Sequence, residues 1–162
     1  MIFVSLGSRE YPFDRLLIEI DELIGRGIIT EKVYAQIGQS PYTPVNYDYE
    51  RFLSVEDFVS NQNSADLIIS HGGTGALVGA LKKNKQVIAV PRLAKYGEHL
   101  DDHQLQVSTA LSDEGYLISV LDIKDLESAI SKLKSNPINK KFNKPSKAVS
   151  LIKNFLGTKD NA

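Results

Sequence analysis

The chain has 162 residues, 42% apolar and 24% charged, the balance of a soluble domain large enough to bury an ordinary core. No run approaches the roughly 20 apolar residues of a membrane span, and the absence of cysteine excludes a disulfide framework or a thiolate metal site. The formal charge of −1 is unevenly divided: from Lys132 onward eight lysines face one acid, Asp160, so the tail carries +7 and the first 131 residues −8. A basic tail on an acidic body points to a protein partner or an anionic membrane surface, or simply to a solvated C-terminus.

The opening MIFVSLG reads directly as a strand, without a basic region or cleavage site, so no signal peptide and a cytoplasmic location are expected. Phe13, Leu16, Leu17, Ile20 and Ile24 then follow the spacing of one helix face, with Pro12 at its start and Gly25 and Gly27 at its end. Further β-rich runs fall at residues 32–37, 66–70, 86–90 and 116–120. Helices are expected after the glycine turn that starts at Gly72, with Leu77, Ala80 and Leu81 on the buried face, and over residues 101–111, 123–133 and 146–156. Residues 38–53, with Pro41, Pro44, Tyr42, Tyr47 and Tyr49, read as a long loop holding one strand at most. Strands alternating with helices argue an α/β fold, a Rossmann-like and mainly parallel sheet with flanking helices.

In such sheets ligands bind beyond the carboxyl ends of the strands. Three loops share that edge: Gly7-Ser8-Arg9-Glu10, the turn His71-Gly72-Gly73-Thr74-Gly75, and PRLAKYGEHLDDHQ over residues 91–104. All three histidines of the chain lie there. Glycines at a strand-to-helix join cost conformational entropy, and their usual function is to let backbone N–H groups approach an anion at a helix N-terminus.

Glycines at 73, 75 and 79 also satisfy a loose dinucleotide pattern, which would suggest a nicotinamide-dependent oxidoreductase. That pattern follows a middle strand, however, and the next strand ends in Pro91-Arg92 where a ribose-binding acid would be needed. For the third loop, Asp102 and His103 are neighbours expected to point apart, and no His-Glu-x-x-His pattern is present, so no metal site is expected. Glu98, His99 and Gln104 are better used as hydrogen-bonding groups toward a polar ligand, while Asp101 or Asp102 suits the N-cap of the following helix.

The stretches MIFVSLGSREYPFDRLL, ADLIISHGGTG and VIAVPRLAKYGEHLDDHQL, in that order and spacing, resemble the C-terminal, nucleotide-sugar half of GT-B glycosyltransferases of family 28. The likeness is closest to bacterial exopolysaccharide transferases that work as two chains, themselves similar to the catalytic subunit of the eukaryotic UDP-GlcNAc transferase acting on dolichol-linked sugar. It covers about residues 1–120. It implies a UDP-sugar donor, with no tightly bound cofactor. Gly72, Gly73, Thr74 and Gly75 would meet the diphosphate, and Gly7, Ser8 and Arg9 would approach it from the first loop. Ser54 and Val55 match the position that holds uracil by backbone hydrogen bonds, and Glu98, His99, Asp102 and Gln104 match the loop that contacts the sugar. Arg92 and Lys95 join Arg9 as cations for the leaving diphosphate, and His71 and His99 are the candidate catalytic bases. One departure stands out: the glutamate that holds the ribose in many relatives is Gly79 here.

The resemblance implies an inverting hexosyl transfer in exopolysaccharide or capsular polysaccharide synthesis, onto a lipid-linked sugar, with no nucleic-acid partner. A two-domain enzyme of this kind needs about twice this length. The chain therefore divides into a nucleotide-sugar domain, residues 1–135, and a basic tail, residues 136–162. The tail's apolar positions Val149, Leu151, Ile152, Phe155 and Leu156 suit either packing of the final helix on its own domain or docking to a membrane-anchored, acceptor-binding subunit that would hold the chain at the inner face of the cell membrane. A non-catalytic nucleotide-binding subunit of the same fold is the other reading that the residues allow.

Overall fold

A computed structural model describes residues 1–143 together with Ser150. The expected helix over residues 146–156 lies outside the described residues except for Ser150, which is helical.

Six parallel strands form one sheet: β1 (Ile2–Ser5), β2 (Val33–Gln36), β3 (Asp48–Glu50), β4 (Leu67–Ser70), β5 (Gln86–Ala89) and β6 (Ile118–Ser119), in the order β3-β2-β1-β4-β5-β6. Among residues 1–143 five α-helices cover it: α1 (Asp14–Gly25), α2 (Val55–Ser64), α3 (Thr74–Lys82), α4 (His103–Asp113) and α5 (Leu126–Ser135). Because successive side chains of a strand point to opposite faces, the sheet feeds two cores. Ile2, Val4, Ile69 and Ile88 pack with Leu16, Leu17, Ile20 and Leu23 of α1 and with Leu126, Ile130 and Leu133 of α5. Phe3, Ile68, Val87 and Ala89 pack with Leu77, Ala80 and Leu81 of α3 and with Val107 and Leu111 of α4. A strand buried on both faces cannot alternate polar and apolar residues, hence the continuous runs LIIS and QVIA.

Most of the expected elements are present, with ends displaced by up to three residues. The last described helix begins at Leu126, after a turn of 3-10 helix at Ile123–Asp125. α2 was not expected. Its start is fixed by Ser54, whose Oγ accepts from the Asp57 amide at 3.0 Å and donates to the Asp57 carboxylate at 2.7 Å. The tyrosine-rich loop before it is pinned to α1 by buried Asp21, which accepts from the Tyr42 hydroxyl at 2.7 Å and from the amides of Val45 and Asn46 at 2.8 and 2.7 Å.

Past α5 the chain turns back onto the body. Gln86 exchanges two hydrogen bonds with the Ile138 backbone, and Phe142 meets the Tyr116 ring edge-on with centroids 5.1 Å apart. Residues 136–143 thus lie against the sheet domain. Strand order reverses between β1 and β4, which brings the loops after these two strands side by side at the carboxyl edge.

Candidate donor-binding site

His71 stands at the centre of that edge. Its amide continues the β1–β4 ladder to the Ser5 carbonyl, and its Nδ1 lies 2.9 Å from the same oxygen. A carbonyl can only accept, so Nδ1 carries the proton and Nε2 presents a lone pair. Burial, reinforced by the Arg92 charge, pulls the His71 pKa down to about 4, and the ring is neutral at pH 7.

The imidazole occupies space that two glycines leave open. A Cβ on Gly7 would come within 2.9 Å of the ring, and one on Gly73 within 2.4 Å of Nε2. Gly72 has φ 86°, and a Cβ there would also crowd the Pro91 backbone at 3.1 Å. The sequence reading explained these glycines by ligand approach. The structure adds a nearer reason for Gly73, which is room for His71. Gly75 differs: a Cβ there would meet nothing within 4 Å, and the residue is exposed.

α3 starts directly at this turn. Gly73 offers no capping side chain and the first turn holds no acid, so the leading amides and the positive end of the helix dipole are left for an external acceptor. Arg92, 1% exposed, lies beside His71, to whose carbonyl its amide donates at 3.3 Å. Its Nη2 donates to the Leu6 carbonyl at 2.8 Å, and its amide donates to the Gln104 side-chain oxygen at 3.2 Å. Its guanidinium lies over the Phe13 ring, 5.6 Å from the centroid, and its Nε is buried without a partner. Burial lowers its pKa to about 10, which leaves it charged at pH 7.

The third loop distributes its polar residues in a way the sequence did not foretell. Glu98 is buried, and both its oxygens take hydrogen bonds of 2.9 Å from Arg15 of α1, with a third bond from the Leu93 amide. Phe13 and Tyr96 flank the Arg15 guanidinium. This pair anchors the loop to α1, so that Glu98 has a structural partner of its own within the loop. Asp102 accepts from the Ala94 amide at 2.8 Å, and buried Gln104 holds the Arg92 backbone, so both shape the loop from within. Asp101, not Asp102, takes the amide of His103 at the start of α4. His99 packs against Tyr11 of the first loop, with centroids 5.1 Å apart. Arg9 and Lys95 are exposed, as are Ser8, Ser54 and Val55.

Gln36 ties the edge together. Its side-chain amide donates to the Gly7 carbonyl at 3.3 Å and accepts from the Leu53 amide at 3.0 Å, linking the first loop to the segment that enters α2. Gln36, Arg15 and Tyr11 escaped the sequence reading; a polar residue closing the apolar strand β2 was the available signal for the first.

The model of the glycosyltransferase family 28 C-terminal domain matches residues 1–156. The chain belongs to glycosyltransferase family 28. Within this family it is similar to the UDP-N-acetylglucosamine transferase subunit ALG13 of Homo sapiens, 25% identical over 105 residues that make up 65% of this chain and 8% of that protein. It is similar also to ALG13 of Candida albicans, 29% identical over 90 residues, 56% of this chain and 28% of that protein. The matched regions thus span less than a third of these relatives. Among solved structures, the solution structure of ALG13 superposes with a TM-score of 0.61 at 18% identity, covering 96% of this chain and 94% of that one. The structural neighbours are GT-B glycosyltransferases, which places the six-stranded sheet in that fold. Among the described residues no helix is long and apolar enough to cross a membrane.

Proposed function

We propose that this family 28 domain is the donor half of a UDP-sugar-dependent, inverting glycosyltransferase that adds a hexose to a lipid-linked sugar. The observation that carries this reading is the uncapped, acid-free N-terminus of α3 at the switch point of the sheet, next to His71, whose other neighbour is the buried Arg92 charge. Such a site favours a diphosphate before any side chain reaches out, and it stabilises the same diphosphate as it leaves.

Gly72 to Gly75 cradle the diphosphate, with Gly7, Ser8 and Arg9 on one side and Lys95 on the other. Ser54 and Val55 offer backbone to the uracil, at the same edge through Gln36. His99 borders the sugar, while Glu98, Asp102 and Gln104 act by holding their loop. A general base works best with a pKa near the operating pH. His71, at about 4, is too weak for that role and serves as a neutral acceptor. The base for the acceptor hydroxyl is then His99 or a group of a second, membrane-associated chain that also binds the lipid-linked sugar, and polysaccharide synthesis at the inner face of the cell membrane is the setting.

Calorimetric titration with UDP, a panel of UDP-hexoses and NAD tests the donor assignment, and transfer to a lipid-linked sugar with and without the partner tests catalysis. Binding of NAD in preference to UDP would overturn the reading.

A further inference from the structure

His99, Asp101 and His103 come together in the loop between β5 and α4, each offering one ligand atom, all within 4.8 Å of one another. A single oxygen, Oδ1 of Asp101, meets the Nδ1 atoms of both imidazoles. The rings of His99 and His103 stand edge to face with centroids 4.8 Å apart. The spacing i, i+2, i+4 across a turn is what allows three side chains to converge.

His99 Nδ1 lies 3.3 Å from the Asp101 carboxylate oxygen, the separation of two ligands bound tetrahedrally to one ion at about 2.0–2.1 Å. His103 Nδ1 sits closer to that oxygen than this, in direct contact with it, so its ring would turn outward to admit an ion.

We propose that His99, Asp101 and His103 form a binding site for a first-row divalent cation, with Zn²⁺ the best match. Two imidazoles and one carboxylate are borderline ligands that suit zinc and disfavour magnesium, which requires a near-octahedral set of oxygens. Three protein ligands leave a further position for water or a phosphate oxygen. Because His99 also packs on Tyr11, the ion would brace the loop after β5 against the loop after β1, at the mouth of the donor site. This departs from the sequence expectation, which weighed Asp102 with His103; Asp102 is turned to the Ala94 amide instead, and Asp101 takes its place.

The test is titration of the full chain, stripped with chelator, with ZnCl₂ and separately with MgCl₂ by calorimetry, followed by Asp101→Asn and His103→Ala. Asp101 is 63% exposed, so its conservative replacement leaves the fold intact, as circular dichroism would verify. The expected result is one equivalent of zinc, no comparable binding of magnesium, and at least about a tenfold loss in each variant. Absence of zinc binding, magnesium binding of equal strength, or unchanged zinc binding in both variants would each overturn the proposal. UDP affinity measured in chelator tests the donor site separately, so failure of one leaves the other standing.

Discussion

A Cβ on Gly73 would lie 2.4 Å from Nε2 of His71, and the two residues therefore constrain each other. The glycine turn is first a socket for a buried imidazole. Substituting Gly73 is consequently a test of packing as much as of ligand access. Gly73→Ala should destabilise the domain by about 1–3 kcal/mol through overpacking of a ring that is hydrogen-bonded in place. Urea denaturation of Gly73→Ala, His71→Ala and the double variant checks this. Strict additivity of the two losses would remove the coupling claimed here.

Gly75 separates ligand access from packing. A side chain there enters open space, and an acid in the first turn of α3 would favour the helix through its dipole by about 0.3–1 kcal/mol. Gly75→Asp should therefore keep or raise the melting temperature while UDP binding weakens at least tenfold, because the new carboxylate competes for the amides and repels the diphosphate. Calorimetry on a folded Gly75→Asp protein that binds UDP normally would move the diphosphate away from α3.

The sheet was legible because strands buried on both faces are written as apolar runs, and α1 because its buried stripe repeats at helical spacing. α2 was hidden for the converse reason: among Val55–Ser64 the buried residue is Gln62, while Val55 and Val59 face outward. Its one local mark was the Ser54–Asp57 cap. β3, Asp48–Glu50, is a short edge strand with little apolar content. At the site, the chemistry of the residues was visible but their pairing was not. Glu98 meets Arg15 across 83 residues of chain, and no local pattern announces a partner at that distance.

That pair supplies the third prediction. Arg15→Ala would strand the Glu98 carboxylate, only 6% of whose side chain is exposed, beside the Leu93 amide alone. Breaking one side of a buried pair costs about 3–5 kcal/mol, less here because Arg15 keeps some contact with water. A double variant, Arg15→Met with Glu98→Leu, should recover much of the loss. Denaturant midpoints of the three proteins decide it, and an Arg15→Ala protein as stable as the wild type would remove the anchor role.

His71 should also write itself into the pH dependence of stability. Its folded pKa lies near 4, below the ordinary histidine value of 6.5, so the unfolded chain takes up a proton first on acidification. This contribution is complete above pH 6.5 and is lost as pH falls toward 4, amounting to roughly 3 kcal/mol. Unfolding free energies of the wild type and His71→Gln, measured from pH 7.5 to 4.5, isolate it from the titrating carboxylates. The gap between the two proteins should narrow with falling pH, and a constant gap would refute the buried neutral imidazole.

The last prediction concerns the tail and a partner. Gln86 holds Ile138 and Tyr116 holds Phe142, so the chain up to residue 143 is tied to the sheet domain. The remaining C-terminal sequence combines Lys144, Lys147, Lys153 and Lys159 with Val149, Leu151, Ile152, Phe155 and Leu156. Apolar contact would supply affinity for a partner and lysine charge would speed encounter. Ending the chain after Pro145 should leave the melting temperature and UDP binding unchanged. Transfer to a lipid-linked sugar in the presence of the membrane-associated partner should fall sharply, together with recovery of the chain in the membrane fraction. The full chain alone should bind UDP and transfer nothing. Robust turnover by the purified chain with a lipid-linked acceptor and no second polypeptide would sink the two-subunit reading while leaving the donor site in place.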